Sequence, residues 1–234
     1  ANELKKNGIA SLRFDKRGIG ESTSSGMQES DLRFENYVND VKGWVDLLKE
    51  SNKFSKIIVL GHSEGSLIGM IASQKAEVEK FISVAGAGNS AGDIIREQLK
   101  AQPAFVLNQS LPIIEKLENG EREENVPQMI YALFRPSVQP YMISWFKYDP
   151  QIEIAKLNKP VLIVQGTTDI QVSVLDADKL ASANNKAQKQ IIEGMNHILK
   201  EAEMDRLKNI QTYSMPDLPL KKPLTEIIVK FIEE

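Results

Sequence analysis

A serine flanked by glycines is the first feature of the sequence that could carry chemistry. Ser63 lies in residues 61–65, GHSEG, which match the pattern G-x-S-x-G. A serine hydroxyl is barely ionised at neutral pH, so a nucleophilic serine needs a base beside it. The chain contains only two histidines, and His62 adjoins Ser63 on a tight turn, where it points the wrong way. We therefore predict that His197 is the base.

The histidine in turn needs a carboxylate to fix its tautomer and to stabilise its cation. The aspartates between the serine and the predicted base are Asp93, Asp149, Asp169, Asp176 and Asp178. The first two fall in a proline-rich stretch, and the last two fit the outer face of a helix. Asp169 follows an apolar run at residues 161–165 through a short turn, which places it at the carboxyl end of a strand. We predict that Asp169 is the acid.

The elements that position these side chains follow from the apolar pattern. Short apolar runs alternate with amphipathic stretches, which is typical of βαβ units in a parallel sheet. The predicted strands cover residues 9–14, 57–60, 81–85, 161–165 and 190–192, and the clearest helices cover 34–48, 67–73, 174–183 and 224–232. Ser63 thus lies between a strand and a helix, the setting that G-x-S-x-G requires. Gly61 and Gly65 are expected to keep side chains out of that turn.

The stretch from residue 89 to residue 150 has a different character. It holds six of the ten prolines and seven of the 15 aromatic residues, without a convincing strand pattern. Because prolines at this density interrupt helices, we predict several short helices. We interpret residues 89–150 as a helical lid inserted into a core of residues 1–88 and 151–234, since insertions often cover sites at strand ends. The alternative is a crossover connection enlarged only for packing.

The composition argues against several classes of function. Lys and Arg number 29 and Asp and Glu 32, a net charge of 29 − 32 = −3 that lacks the basic balance of a nucleic-acid-binding protein. The absence of cysteine excludes disulfides, thiolate metal sites and cysteine nucleophiles. Neither a calcium-loop pattern nor an apolar run of membrane-spanning length occurs, so we predict no metal site and no membrane span. The composition does not distinguish a cytoplasmic from an exported protein.

Four segments in a fixed order resemble the α/β-hydrolase family over essentially the whole chain. Residues 12–22, 61–66, 165–169 and 194–197 resemble the loop after the fourth strand, the nucleophile elbow, the acid loop and the histidine loop of that family. Within the family, the chain resembles bacterial serine hydrolases of the esterase and serine-aminopeptidase-like branch. The resemblance implies an α/β fold with a mostly parallel sheet flanked by helices, a lid before the acid-bearing strand, and no cofactor. It also implies that the backbone N–H of Glu64 is one donor of the oxyanion hole.

The sequence departs from the family pattern at its start. The family places further strands before the counterpart of residues 9–14, and the loop after the third of those strands, often with a His-Gly pair, supplies the second oxyanion donor. No His-Gly pair occurs here. We expect the first strands to be missing. A separate N-terminal segment would then fill the gap, a second copy of the chain would supply the pairing, or residues 9–14 would pair directly with residues 57–60. Because loss of one oxyanion donor lowers turnover roughly a hundredfold to a thousandfold, we expect a slow enzyme.

These observations favour a serine hydrolase that cleaves a small carboxylic ester through an acyl-serine intermediate. Two alternatives stay open: a peptidase of the aminopeptidase type, and an impaired chain that acts as a non-catalytic module. A weaker rival is the dinucleotide-binding pattern G-x-G-x-x-A, which residues 86–91 match directly after a predicted strand. Such a site also requires a second strand further along, and the region that follows is proline-broken and predicted to be helical.

Overall fold

A four-stranded parallel sheet carries the segments singled out in the sequence. The computed structural model describes residues 1–24 and 27–234. The strands are β1 (Ile58–His62), β2 (Lys80–Val84), β3 (Val161–Gly166) and β4 (Gln188–Ile192), and they lie in that order with every neighbouring pair parallel. The predicted parallel sheet is confirmed, and four of the five predicted strands occur at the expected places.

The helices fill the intervals between the strands. They are α1 (Asn2–Lys6), α2 (Phe34–Glu50), α3 (Glu64–Lys75), α4 (Ala91–Leu99), α5 (Ala104–Glu118), α6 (Tyr131–Phe134), α7 (Gln139–Phe146), α8 (Pro150–Ala155), α9 (Val174–Ala183), α10 (Arg206–Gln211) and α11 (Lys222–Glu233). The helices predicted from the apolar pattern correspond to α2, α3, α9 and α11. Among the described residues, no helix is long and apolar enough to cross a membrane.

Helices cover both faces of the sheet, which explains why β2 and β3 are buried along their whole length. Ile82 of β2 points to one face and belongs to a buried cluster with Ile228 of α11. Its neighbour Ser83 points to the opposite face, because successive strand residues alternate. There its hydroxyl lies 2.7 Å from the hydroxyl of Ser66 in α3. Each large aliphatic side chain that is buried in the cluster of Ile82 and Ile228 contributes about 1.5–3 kcal/mol to the free energy of unfolding.

The predicted strand at residues 9–14 is wrong. This segment contains neither helix nor strand, and Leu12 and Phe14 are 41% and 38% exposed. A strand forms only where a neighbour completes its backbone hydrogen bonds. In the described part of the chain, β1 is an edge strand whose partner is β2, and residues 9–14 do not join it. The ring of Phe14 instead stacks on Trp44, with 5.8 Å between the ring centroids.

The chain divides into two compact units. The first comprises Ala1–Phe14, Lys42–Gly88 and Pro150–Glu234 and contains the whole sheet, and the second comprises Asp15–Val41 and Asn89–Asp149. The sequence interpretation placed residues 15–41 in the core, whereas the structure groups them with residues 89–149. The second unit therefore draws on two separate parts of the chain.

The second unit has its own helical core. Residues 89–149, all of which the structure describes, contain α4 to α7 and no strand. Ile114 and Leu117 of α5 and Phe134 of α6 are fully buried in one hydrophobic cluster. The helical character of this stretch matches the expectation from its prolines, while its role as a lid stays a prediction.

Candidate active site

Ser63 occupies a strained turn between β1 and α3. Its backbone has φ 55° and ψ −124°, and a positive φ is uncommon for a residue with a side chain. The N–H of Ser63 donates to the carbonyl of Val84 at 3.0 Å, which ties the turn to the end of β2. Strain of this kind persists only where the surrounding structure imposes it, and it is concentrated at functional sites.

One of the two flanking glycines is required by this turn. A Cβ atom at Gly61 would lie 2.1 Å from the carbonyl oxygen of Gly65, so a side chain there would collide with backbone. Gly65 differs, because its own Cβ would meet no atom of the described residues within 4 Å beyond its chain neighbours and its helix. The expectation that Gly65 is needed for space is therefore wrong.

The structure brings the three predicted triad residues together. The Nε2 atom of His197 lies 3.0 Å from Oγ of Ser63, and its Nδ1 atom lies 2.8 Å from Oδ2 of Asp169. The side chains of His197 and Asp169 are 7% and 0% exposed. Each residue follows a different strand: Ser63 follows β1, Asp169 follows β3 and His197 follows β4. Hydrogen-bond reach from nucleophile to base, and from base to acid, is the arrangement that activates a serine.

The carboxylate of Asp169 is fixed by four donors. Its Oδ1 atom accepts the backbone N–H groups of Gln171 at 2.8 Å and Val172 at 3.0 Å. Its Oδ2 atom accepts the side-chain amide of Gln165 at 3.0 Å and faces Nδ1 of His197. A carboxylate only accepts, so Nδ1 carries the proton and Nε2 presents a lone pair to Ser63. The histidine is thereby held in the tautomer that a general base requires.

Gln165 is a contributor that the sequence reasoning missed. It is the polar residue near the end of the otherwise apolar β3, and it is fully buried. Its amide also donates to the carbonyl of Val172 at 2.9 Å, so it clamps the loop that carries Asp169. A glutamine inside a strand that is covered on both faces needs hydrogen-bond partners. That requirement is the signal that could have identified it.

The sequence predicted that Asp176 and Asp178 lie on the outer face of a helix, and the structure places only Asp178 there. The side chain of Asp178 is 44% exposed and pairs with Lys189, as expected for the outer face of α9. Asp176 is only 3% exposed, so its assignment to the outer face is wrong. It forms a capping box with Ser173 at the start of α9 and accepts the backbone N–H of Gly88 at 3.0 Å. A capping carboxylate turned inwards can be buried because these donors satisfy it.

His62 contacts the backbone of His197, the predicted base. Its Nε2 atom lies 2.7 Å from the backbone carbonyl oxygen of His197, and the two ring centroids are 4.9 Å apart. Because a carbonyl only accepts, Nε2 of His62 carries a proton and donates it. Burial lowers the pKa of His62 below its ordinary 6.5 and outweighs this hydrogen bond, which raises it. His62 therefore links the Ser63 turn to the backbone of the histidine loop.

We expect His62 to make stability depend on pH. Because its pKa is lower in the folded chain, the unfolded chain binds a proton more readily below pH 6.5. The stability gained by burying His62 in its neutral form is therefore fully present above pH 6.5. It is lost as the pH falls from 6.5 towards the lower pKa of His62 in the folded chain. His62→Phe keeps an aromatic ring at this position but removes the donor to the carbonyl of His197. The free energy of unfolding above pH 6.5 should therefore fall by about 1–3 kcal/mol.

Urea unfolding on both sides of pH 6.5 tests this prediction. The loss of stability towards acid should be smaller in His62→Phe than in the wild type, because the variant has no group to titrate at this position. An equally steep loss in both proteins would contradict the assigned role of His62.

Glu64 stands at the position predicted for an oxyanion donor. Helix α3 begins at Glu64, directly after Ser63. The first N–H groups of a helix have no acceptor within that helix, and the helix dipole favours negative charge at this end. The backbone N–H of Glu64 is thus suited to an oxyanion that forms on an acyl group attached to Ser63. Its function as an oxyanion donor stays a prediction.

The glycines of the dinucleotide-like pattern pack against protein. A Cβ atom at Gly86 would lie 2.3 Å from Oγ of Ser66, and one at Gly88 would lie 2.3 Å from the carbonyl oxygen of Asp176. Both glycines therefore have a packing role between β2 and the helices α3 and α9. Within residues 1–24 and 27–234, no group of three His, Cys, Asp or Glu side chains is arranged to hold a metal ion.

Comparison with known families places this geometry in context. A profile of the family described as serine aminopeptidase, S33, matches residues 1–128, which is more than half of the chain. The chain belongs to this family. The matched residues of this chain include Ser63 and end before Asp169 and His197. The assignment of the predicted acid and base therefore rests on the geometry of the second half of the chain.

A curated relative carries an esterase name. Esterase EstD of Thermotoga maritima is 26% identical over 208 residues, which cover 86% of this S33-family chain and 48% of the relative. The chain thus spans about half the length of that curated relative.

Solved structures share the fold. Est1E of Butyrivibrio proteoclasticus, solved with ferulic acid, superposes with a TM-score of 0.62 at 19% identity, covering 100% of this chain and 81% of that one. A lipase-esterase related protein of Clostridium acetobutylicum gives 0.58 at 17% identity, covering 98% and 87%. At these identities the likeness shows the fold alone. The α/β-hydrolase resemblance of the sequence is confirmed.

Proposed function

We propose that this S33-family hydrolase cleaves carboxylic esters with Ser63 as nucleophile, His197 as general base and acid, and Asp169 as the orienting carboxylate. The observation that carries the proposal is the continuous contact from Ser63 Oγ to His197 Nε2 at 3.0 Å and from His197 Nδ1 to Asp169 Oδ2 at 2.8 Å. The strained backbone of Ser63 supports it, since an incidental serine would have no reason to hold φ 55°.

The geometry supports a two-step acyl transfer. Oγ of Ser63 attacks the ester carbonyl while Nε2 of His197 takes the hydroxyl proton. The tetrahedral oxyanion collapses, the C–O bond to the alcohol breaks, and His197 returns the proton to the leaving alkoxide. Water then attacks the acyl-serine, with His197 again accepting and returning one proton, and releases the carboxylic acid. The buried Asp169 stabilises the imidazolium that exists in both steps, because its carboxylate faces Nδ1.

A peptidase is the second candidate, because the family carries the description serine aminopeptidase. The ester assignment is supported by the esterase name of the Thermotoga relative. Both activities would use the same triad, so the distinction lies in recognition. An aminopeptidase must bind the α-ammonium group of its substrate, whereas an esterase gains nothing from that charge.

The test compares two esters of one phenol, a propionyl ester and an alanyl ester. They differ only in the α-ammonium group, and dividing each kcat/KM by the rate of alkaline hydrolysis removes their different intrinsic reactivity. The ester proposal expects the propionyl ester to have the larger corrected kcat/KM. A corrected preference for the alanyl ester, together with cleavage of alanyl anilide, would establish the peptidase instead. A folded chain that turns over neither ester would support the non-catalytic alternative.

A further inference from the structure

The loops that carry the acid and the base are joined behind the triad by a buried amide. Asn209 lies on α10, is 0% exposed and touches no reacting atom of the proposed mechanism. Its Nδ2 atom donates to the carbonyl of Thr168 at 2.8 Å, and Thr168 directly precedes Asp169. Its Oδ1 atom lies 3.3 Å from Nδ2 of Asn196, and Asn196 directly precedes His197. One side chain therefore bridges the residues next to the acid and the base.

Hydrogen-bond chemistry fixes the orientation of this amide. Nδ2 of Asn209 also faces the carbonyl of Glu203 at 3.0 Å, and two carbonyl oxygens can be satisfied only by the NH₂ end. Its oxygen is then left for Asn196, whose NH₂ group must point towards it. Asn196 agrees with this orientation, because its own oxygen accepts the N–H of Lys200 at 3.0 Å. Every contact of the two amides therefore pairs a donor with an acceptor.

A second contact closes the bridge into a ring. Nδ2 of Asn196 donates to Oγ1 of Thr212 at 2.8 Å, and Thr212 donates to the carbonyl of Asn209 at 2.6 Å. Asn196 is also 0% exposed. Buried polar networks in which every member is satisfied have one favoured geometry, because any displacement leaves a polar group without a partner. The ring therefore holds the residue before His197 against α10, and Asn209 of the same helix also binds the residue before Asp169.

We infer that Asn209 is a positioning residue for the Asp169–His197 pair. The inference rests on the proposed function, since it assigns the purpose of the bridge to proton transfer by His197. Without the bridge, the two loops are held together only by their direct contacts with each other. One of these is the 3.2 Å hydrogen bond from the Thr168 N–H to the Met195 carbonyl. A displacement of about 1 Å in a catalytic group can lower the rate on the order of a hundredfold.

The experiment uses Asn209→Ala in the full chain with two readouts. The first is the downfield ¹H NMR signal of the proton between His197 Nδ1 and Asp169, assigned by its loss in His197→Ala. The second is kcat for a short-chain aryl ester. We expect the signal to broaden or disappear and kcat to fall between about tenfold and a hundredfold, with little change in KM. If Asn209→Ala does not fold, Asn209→Ser is measured in the same way.

Asn184 provides a matched control. It is 8% exposed, its Nδ2 atom donates to the carbonyls of Ile154 at 2.9 Å and Leu157 at 3.2 Å, and its oxygen accepts the N–H of Lys186. It therefore makes the same number of hydrogen bonds as Asn209 without contacting either triad loop. Asn184→Ala should lower the melting temperature to a similar extent while leaving the NMR signal and kcat at wild-type values.

The outcomes separate the two claims. Wild-type signal and kcat in the Asn209 variant, or equal changes in the Asn184 variant, would overturn the positioning role. If the wild type hydrolyses no ester, the proposed function fails, whereas the NMR comparison still decides whether Asn209 positions the pair.

Discussion

Ser63→Ala is expected to reduce ester turnover on the order of a millionfold, to the background left by binding and by the remaining oxyanion donors. The reason is that Oγ of Ser63 is the atom 3.0 Å from the base, and alanine offers nothing in its place. His197→Ala should be nearly as damaging, and the double variant should be no worse, because triad members act as a unit. Steady-state hydrolysis of an aryl ester at high enzyme concentration measures all three.

Ser73 gives the matched control for this variant. It lies on α3, as a buried serine close to Ser63 in the chain, and its Oγ atom has no hydrogen-bond partner among the described residues. Ser73→Ala should therefore keep wild-type turnover and close to wild-type stability. Turnover of Ser63→Ala within twofold of the wild type would show that the nucleophile is wrongly assigned.

Asp169→Asn is expected to lower kcat by about ten-thousandfold while leaving the fold intact. Two backbone N–H groups, from Gln171 and Val172, point at Oδ1, so that site must keep an oxygen. The new NH₂ group is then forced onto the Oδ2 site, where it faces both the side-chain amide of Gln165 and Nδ1 of His197. To avoid two opposed donors, the histidine adopts the other tautomer, and Nε2 then carries a proton towards Ser63 and cannot accept one.

Kinetics and unfolding together check this prediction. Asp169→Asn should fall in kcat far more than in stability, whereas Asp178→Asn, which removes an exposed carboxylate paired with Lys189, should leave kcat unchanged. An Asp169→Asn enzyme within tenfold of the wild type would mean that this carboxylate does not set the tautomer of His197.

The convergence of Ser63, His197 and Asp169 could be predicted because its signals are local. G-x-S-x-G needs only a strand, a turn and a helix, and the acid follows from its place at the end of a strand. Four strands were found for the same reason, since each is a short apolar run with its own boundaries. The strand expected at residues 9–14 failed because an apolar run does not itself reveal whether a partner strand lies beside it.

The residues that support the triad could not be predicted, because their partners are distant in sequence. Gln165 and Asn209 read as an ordinary strand residue and an ordinary helix residue until the fold brings Asp169 and Asn196 to them. Asp176 was misplaced for a related reason. Its helix has an inward and an outward face, and a capping box together with the Gly88 N–H turns the carboxylate inwards.

The central claim is that Ser63 is a nucleophile activated by its contact with His197. Labelling with a fluorophosphonate, followed by mass mapping of the tryptic peptide of residues 57–75, tests it most directly. We expect one adduct per folded chain on Ser63, no adduct after urea unfolding or in Ser63→Ala, and much slower labelling in His197→Ala. An adduct on a different residue, or labelling that is equally fast without His197, would contradict it.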